Sequence, residues 1–355
     1  MTSAASDDDS PDTSSGTSWS RWLWAHVFLI GPDLILLGLF VLLLAGLLAV
    51  YGGRFAFVRS SFLLPLLSVA LLIVVATLTQ ASKVLTHAAT SWAGLSTAVG
   101  KLVRDWLPLV LVLFVYENLH DLTYLIRPDH VDAVLLRIDE LIFGVEPTIL
   151  LQAVISPWLT EYMTFAYALY FVFPTFMLVL PYTKGQTYVF REGALALSLC
   201  CYLGFLGYIT VPAVGPRYFI PESLTVPLTG IWLTARAAAV WNALETVQRD
   251  CFPSLHTAMS TIALVYLWRL RRYYQNGMWV LAVATPLTVS LWLSTVYLRY
   301  HWTVDVVAGW ALAFLCVSLA PAIVRRYYKK KDGARVQVSP DIAREGVLGF
   351  PQSYR

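Results

Sequence analysis

Long apolar runs alternate with short polar segments along most of the chain. The runs hold roughly 18 to 22 residues, and at about 1.5 Å per residue each is long enough to cross about 30 Å of hydrocarbon. The pattern predicts about eight transmembrane helices, near residues 29–51, 62–80, 104–122, 162–181, 193–212, 253–270, 278–298 and 303–323. We therefore expect an all-α fold, a polytopic integral membrane helical bundle.

Composition supports this fold class. The chain of 355 residues is 58% hydrophobic and 13% charged, about half the charge content of an ordinary soluble domain. Cys200, Cys201 and Cys316 lie inside apolar runs and Cys251 lies at a helix mouth, so the four cysteines do not form a disulfide framework. A water-soluble fold and a small disulfide-stapled domain are both excluded.

The start of the chain differs from the rest. Residues 1–20 are rich in Ser, Thr and Asp and nearly free of large apolar side chains, which is typical of a disordered tail. The acidic tail precedes a long apolar run, so we do not interpret it as a secretory signal. We divide the remainder into residues 21–100, with two extra transmembrane helices, residues 101–325, a core with the other six predicted spans, and residues 326–355, a basic cytoplasmic tail.

Lys and Arg residues collect after the second, sixth and eighth predicted spans. The positive-inside rule then places both termini in the cytoplasm. The basic run "RRYYKKK" at residues 325–331 is explained by this topology and by anionic lipid, and we expect no nucleic-acid binding. The sequence does not determine the oligomeric state.

Four polar clusters fall at the opposite, extracytoplasmic ends of the spans. They are "ENLHDL" with His120, "GPRYFIP" with Arg217 and Tyr218, "FPSLH" with Ser254 and His256, and "YLRYHWTVD" with Arg299, His301 and Asp305. Ionisable groups at membrane depth are costly, so their convergence at one face indicates a functional site. Tyr218 and His120 are candidates for contact with substrate.

Residues 127–159, between the third and fourth spans, have apolar positions at helical spacing together with regular charge. The segment predicts amphipathic helices in the outer membrane interface. Two interpretations stay open, a lid over a substrate site and a plain connector.

His301 and Asp305 are four residues apart, so they share one face of the helix that opens the eighth span. A carboxylate beside a ring nitrogen fixes the tautomer and stabilises the imidazolium. The alternative is an ordinary structural hydrogen bond. We expect the pair to face the membrane surface, where loss of one partner costs little stability.

The motif "PSLH" predicts the start of a helix, with Pro253 just before its first turn. The free backbone N–H groups at such a helix start attract anions. Arg217 and Arg299 offer planar forks of donors that suit phosphate oxygens. The plain alternatives are a helix cap for Ser254 and a membrane-surface anchor for Arg217. Two histidines, one carboxylate partner, two arginines and a helix start together predict a phosphoryl-transfer site that requires no metal and no cofactor.

The combination of "FPSLHTA", "STVYLRYHWTVDVVAG" and "GPRYFIP" resembles the type 2 phosphatidic acid phosphatase (PAP2) superfamily. Together with "DELIFGVEP" (Asp139 to Pro147), it is similar to the branch that contains inositol phosphorylceramide synthase. The resemblance covers roughly residues 105 to 320 and implies a six-helix core and membrane lipid substrates. It implies that His301 forms a phosphohistidine oriented by Asp305, that His256 serves as acid and base, and that Arg217 and the Ser254 region bind phosphate.

Three positions depart from the hydrolases of that superfamily. Thr210 stands where they have lysine, Leu255 where they have glycine, and Thr295 where they have arginine. Because two cationic phosphate ligands are missing, with Arg299 as a replacement for one, the resemblance favours an inositolphosphotransferase over a lipid phosphate or pyrophosphate phosphatase. A polytopic transporter or scaffold is the alternative from another class, and it predicts internal pseudo-symmetry that the chain does not show.

Overall fold

The computed structural model describes residues 31–51, 92–117, 119, 121–124, 126–244 and 247–335. Within these residues the chain forms eleven α-helices and no β-strand. The helices are α1 (Pro32–Tyr51), α2 (Trp92–Glu117), α3 (Asp132–Phe143), α4 (Pro147–Leu150), α5 (Pro157–Thr183), α6 (Thr187–Thr210), α7 (Pro216–Phe219), α8 (Leu233–Leu244), α9 (Leu255–Leu270), α10 (Gly277–Tyr297) and α11 (Thr303–Arg335). Short 3₁₀ turns lie at Asp121–Tyr124, Leu151–Val154 and Pro221–Ser223.

Five of these helices, α1, α5, α6, α10 and α11, are long and apolar enough to cross a membrane. The chain is therefore an all-α polytopic membrane protein, as predicted. The predicted spans at 104–122 and 253–270 correspond to α2 and α9, and α9 is short, with 16 residues or about 24 Å. The span predicted at 62–80 lies outside the described residues.

Two predicted domain boundaries fall within helices. Helix α2 begins at Trp92, before the boundary at residue 101, and α11 continues to Arg335, beyond the boundary at residue 325. Both boundaries stand at a basic residue, Lys101 and Arg325. A helix continues past the hydrocarbon when its charged residues can reach water or headgroups.

Helix α9 is the centre of the bundle and packs against α5, α6, α10 and α11. Its buried residues include many small ones, Thr257, Ala258, Ser260, Thr261 and Ala263. Small side chains let helices approach closely. At Gly309 of α11 the approach is close, since a Cβ there would lie 2.6 Å from the carbonyl oxygen of Ser254. The first turns of α9 and α11 therefore lie side by side.

The interfacial segment is anchored by two buried aspartates on α3. The carboxylate of Asp132 accepts the backbone N–H of Gly215 and the indole N–H of Trp302, both at 2.8 Å. The carboxylate of Asp139 accepts the backbone N–H groups of Thr303 at 2.6 Å and Val304 at 2.9 Å. Helix α3 thus holds the loop before α7 and caps the start of α11. The segment is neither a free lid nor a plain connector.

Asp139→Ala is expected to destabilise the protein by about 2 kcal/mol, because it removes the acceptor that caps α11. Thermal unfolding of the purified protein in detergent measures this as a lower midpoint. Asp139→Asn, which keeps one side-chain oxygen, should recover part of the loss, and Asp129→Ala, at an exposed position of the same segment, is the control. An unchanged midpoint for Asp139→Ala would rule out the capping role.

Charged residues gather at the end of the bundle opposite the α9 and α11 starts. Arg191 of α6 contacts Asp105 of α2 at 3.1 Å, and Arg269 at the end of α9 contacts Glu192 at 3.5 Å. The backbone N–H of Gly31 donates to the Tyr327 hydroxyl at 3.1 Å. The starts of α1 and α6, the middle of α2 and the end of α9 therefore share one end of the bundle with the second half of α11.

Candidate active site

Two helix starts bring the two predicted histidines together. The backbone N–H of Ser254, just before α9, donates to the carbonyl oxygen of Asp305 in the first turn of α11 at 3.1 Å. His256 Nδ1 and His301 Nε2 are then 3.3 Å apart, and their rings meet at an interplanar angle of 62°. This separation is within hydrogen-bonding reach, so one ring carries the shared proton.

Asp305 lies on the far side of the His301 ring. Its Oδ2 is 3.5 Å from His301 Nδ1 and accepts the backbone N–H of Trp302 at 2.8 Å. The expectation of a surface-facing pair is wrong, because His301 is only 3% exposed and Asp305 is fully buried. Removal of one partner leaves the other's polar group buried, which costs more stability than at a surface.

Cys251 joins this pair. Its thiol donates to Asp305 Oδ2 at 2.8 Å and its sulfur lies 3.6 Å from His301 Nδ1. Burial, followed by the nearby Asp305 carboxylate, raises the pKa of the Cys251 thiol well above its usual range. The thiol therefore stays protonated and serves as the hydrogen-bond donor to the carboxylate.

Tyrosine rings enclose His256. Tyr167 stacks on it with ring centroids 4.6 Å apart, and Tyr170 lies at 4.2 Å. Tyr300 stacks in turn on Tyr167 at 4.7 Å. His256 is partly exposed whereas His301 is buried, so His256 is the more accessible member of the pair. Apolar ring faces exclude water and strengthen the electrostatic interactions behind them.

Arg217 reaches the same region through a tight turn. Gly215 has a φ of +79°, and a Cβ there would lie 2.5 Å from the carbonyl oxygen of Tyr300, so only glycine fits this approach. The Arg217 backbone N–H donates to the Arg299 carbonyl at 3.1 Å. Its guanidinium lies 4.7 Å from the ring centroid of Tyr300 and 4.4 Å from that of Tyr218. Arg217 thus stands beside the tyrosines that enclose His256.

Arg299 is held differently. It ends α10 in a left-handed conformation with a φ of 68°, which costs about 1 kcal/mol for a residue with a Cβ. One guanidinium nitrogen donates to the Val226 carbonyl oxygen, and burial lowers the pKa of the group. Its buried Nε has no hydrogen-bond partner among the described residues. The side chain therefore lies against the loop after α7, and its contact with phosphate stays a prediction.

Ser254 acts as the N-cap of α9. Its hydroxyl oxygen accepts the N–H of Thr257 at 3.3 Å and the hydroxyl of Thr257 at 3.1 Å, and the residue is fully buried. Of the two roles considered for Ser254, the structure shows the cap. Tyr218 is 43% exposed beside Arg217, and His120 lies outside the described residues.

The side chains at the three departures from the hydrolase pattern pack or hydrogen-bond within the helices, although the Thr295 carbonyl also accepts the backbone N–H of His301 at 3.1 Å. Leu255 is buried against α6, where a Cβ on Gly204 would lie 2.5 Å from one of its methyl carbons. The hydroxyl of Thr210 donates to the Leu206 carbonyl, and that of Thr295 to the Trp292 carbonyl, both at 2.7 Å. Because the Leu255 side chain packs into the core, this departure does not distinguish a transferase from a hydrolase.

Several residues around the histidine pair were not predicted from the sequence, namely Cys251, Asp132, Asp139, Tyr167 and Tyr300. Asp132 and Asp139 left a usable signal, since a spacing of seven places them on one face of a helix, two turns apart. No sequence pattern marks Cys251 as a site residue, because its partners come about 50 residues later in the chain. The tyrosines cannot be told apart from ordinary membrane aromatics by pattern alone.

The arrangement has the parts of nucleophilic catalysis. His301 has one ring nitrogen toward a carboxylate and the other toward a second histidine, and this geometry can orient a nucleophile and move its proton. Cationic Arg217 stands near the open side, where it can offset developing negative charge. Such a geometry can carry group transfer through a histidine.

Comparison with known proteins agrees with this chemistry. A family model described as the PAP2 superfamily matches residues 133–319, which is more than half of the chain and includes both histidines. No curated protein matches the chain, and no solved structure does. The chain belongs to the PAP2 superfamily and is a membrane enzyme of the phosphoryl-transfer class, which contains phosphatases and phosphotransferases.

Proposed function

We propose that this enzyme is a lipid head-group phosphotransferase, which moves a phosphorylated head group of the inositol-phosphate type from a phospholipid to a lipid alcohol. In the first step His301 Nε2 attacks phosphorus and the bond from phosphorus to the diacylglycerol oxygen breaks. His256 protonates that leaving oxygen. Asp305 stabilises the charged ring of the phosphohistidine through Nδ1.

In the second step the hydroxyl of the acceptor lipid attacks the same phosphorus. His256, now neutral, takes the hydroxyl proton as the new oxygen–phosphorus bond forms and the bond to His301 Nε2 breaks. Each histidine returns to its first state. The resting separation of 3.3 Å between the rings has to widen in each step, because the phosphorus occupies the space between them.

The enclosure of the histidine pair carries the preference for transfer over hydrolysis. His301 is buried, and His256 lies against Tyr167 and Tyr170. A phosphohistidine behind these rings is shielded from water and stays available to a hydroxyl delivered within the membrane. Among the described residues, this shielding distinguishes transfer from hydrolysis better than the departures at Thr210, Leu255 and Thr295 do.

We also propose that the site faces the extracytoplasmic side and that both termini are cytoplasmic. The histidine pair lies at one end of the bundle, while Arg191, Arg269 and Tyr327 mark the opposite, basic end. The positive-inside rule assigns the basic end to the cytoplasm.

A lipid-product assay tests the proposed reaction. Vesicles contain phosphatidylinositol with a labelled inositol phosphate, with or without ceramide. We expect a new labelled lipid whose yield rises with ceramide, and little water-soluble label. A parallel assay supplies phosphatidic acid without an acceptor, and we expect little free phosphate there.

Two outcomes contradict the proposal in different ways. Acceptor-independent release of free phosphate from phosphatidic acid would replace the transferase with a lipid phosphatase that uses the same residues. Absence of turnover with both substrates, in protein that unfolds cooperatively, would reject this donor class.

A further inference from the structure

The buried side of the site holds three donor groups of different chemistry. The Cys251 sulfur, His301 Nδ1 and a carboxylate oxygen of Asp305 lie within 4.8 Å of one another. The sulfur is 2.8 Å from Asp305 Oδ2 and 3.6 Å from His301 Nδ1, and Nδ1 is 3.5 Å from Oδ2. In tetrahedral zinc coordination, sulfur, nitrogen and oxygen ligands lie about 3.4 to 3.6 Å apart. Two of the three separations match, and the third needs an opening of about 0.7 Å.

The donor set selects for one kind of cation. Mg²⁺ and Ca²⁺ prefer all-oxygen ligands, whereas a thiolate, an imidazole and a carboxylate together suit Zn²⁺. A second feature of the site also indicates a bound cation. Asp305 Oδ1 is buried and has no hydrogen-bond partner among the described residues, so the carboxylate has unused acceptor capacity beside the thiol and the ring.

We propose that Cys251, His301 and Asp305 form an inhibitory Zn²⁺ site. The ion binds the Cys251 thiolate, His301 Nδ1 and the Asp305 carboxylate, with water as the fourth ligand. The thiol proton leaves to solvent. The proton that His301 carried on Nδ1 moves to Nε2, because a neutral imidazole that binds a metal through one nitrogen keeps its proton on the other.

Zinc inhibits because it leaves the His301 proton on Nε2. This inference rests on the proposed function. Nε2 is the atom proposed to attack phosphorus, and a protonated Nε2 has no lone pair for the attack. The ion also takes the carboxylate that would stabilise the phosphohistidine. Zinc would therefore block the enzyme without occupying the space where lipid binds, so inhibition should lower kcat more than it changes KM.

The activity test uses ZnCl₂ as the probe and the lipid-product assay as the readout. Wild-type enzyme and Cys251→Ser are titrated with Zn²⁺, and each is normalised to its own metal-free rate. We expect Cys251→Ser to need at least about tenfold more Zn²⁺ for half-inhibition, since it lacks the thiolate ligand. Cys316→Ser, at a fully buried cysteine of α11, is the matched control and should respond like wild type. A chelator should restore activity.

A spectroscopic test does not depend on turnover. Co²⁺ replaces Zn²⁺ in such sites, and a thiolate ligand gives a sulfur-to-cobalt charge-transfer band. We expect the band in wild type and in Cys316→Ser, and its absence in Cys251→Ser. This arm remains informative if Cys251→Ser has lost activity.

The outcomes separate this proposal from the proposed function. Equal zinc sensitivity of Cys251→Ser and wild type, or no thiolate band in wild type, would overturn the zinc site and leave the transfer mechanism intact. Turnover retained without His301 would overturn the mechanism, while the cobalt band of wild type would still support the site. Zinc inhibition of Cys316→Ser that differs from wild type would show a cysteine effect outside the site and count against the assignment.

Discussion

His301→Asn is expected to lower kcat by about 10⁴-fold or more, the scale seen when a catalytic nucleophile is removed. The substitution removes Nε2, the atom proposed to bond to phosphorus. Its amide nitrogen can occupy the place of Nδ1 and donate to Asp305, so the buried carboxylate keeps a partner. His301→Asn is therefore a sharper test than alanine, which would leave the Asp305 carboxylate buried without that donor.

Three measurements accompany this prediction. Acid-stopped reactions of wild type with labelled donor lipid should show protein-bound label, which His301→Asn should lack. Thermal unfolding should show that the variant is folded. His130→Asn, at a half-exposed histidine whose Nδ1 lies 3.1 Å from Asp132 Oδ2, makes the same chemical change outside the histidine pair and should keep most activity. A His301→Asn enzyme within tenfold of wild-type kcat would refute the nucleophile assignment.

Asp305→Asn is expected to lower kcat by about 10³- to 10⁴-fold, as occurs when an orienting carboxylate becomes an amide. The amide donates to His301 Nδ1 instead of accepting from it, so the ring proton moves to Nε2 and blocks attack. The new side chain also loses the charge that stabilises the phosphohistidine. Shape is retained, but an amide nitrogen at the Oδ2 position no longer accepts the Trp302 N–H or the Cys251 thiol, so thermal unfolding is measured beside kcat to show that the variant is folded.

The two variants differ in a measurable way. Asp305→Asn keeps Nε2 and should still form a small, slowly accumulating amount of protein-bound label, whereas His301→Asn should form none. KM for the donor lipid should change little in Asp305→Asn, because the carboxylate lies behind the ring and away from the lipid. Asp129→Asn, at an exposed aspartate, is the control. Equal kcat for Asp305→Asn and wild type would show that the carboxylate has only a structural role.

Short-range patterns predicted the centre of the site. His256 follows a capping serine in the first turn of α9, as its position in the sequence predicts. His301 and Asp305 meet as predicted, but not on one helix face, because α11 begins at Thr303 and His301 lies in the turn before it. Apolar run lengths likewise predicted the long helices, because the thickness of the bilayer sets their length. These features depend only on neighbours in the chain or on the solvent.

Features that depend on distant contacts were not predictable. Cys251 reaches Asp305 across 54 residues of chain, and nothing in the local sequence marks that meeting. The burial of His301 was also missed, because it arises from packing between α9 and α11 and from α3, which anchors Trp302. Leu255 was overinterpreted. Its place in the sequence suggests transferase chemistry, but its side chain packs against Gly204.

The anchoring of the site by α3 also bears on how the enzyme is made. Asp132 precedes its partner Trp302 by 170 residues, and Asp139 precedes Thr303 by 164. A chain emerges from the ribosome N-terminus first, at about 5 to 20 residues per second, so α3 waits roughly ten seconds or more for α11. Until the last helix inserts, neither the cap nor the histidine pair exists. Nascent chains therefore cannot act on the lipids around them, and catalysis begins only when membrane insertion is complete.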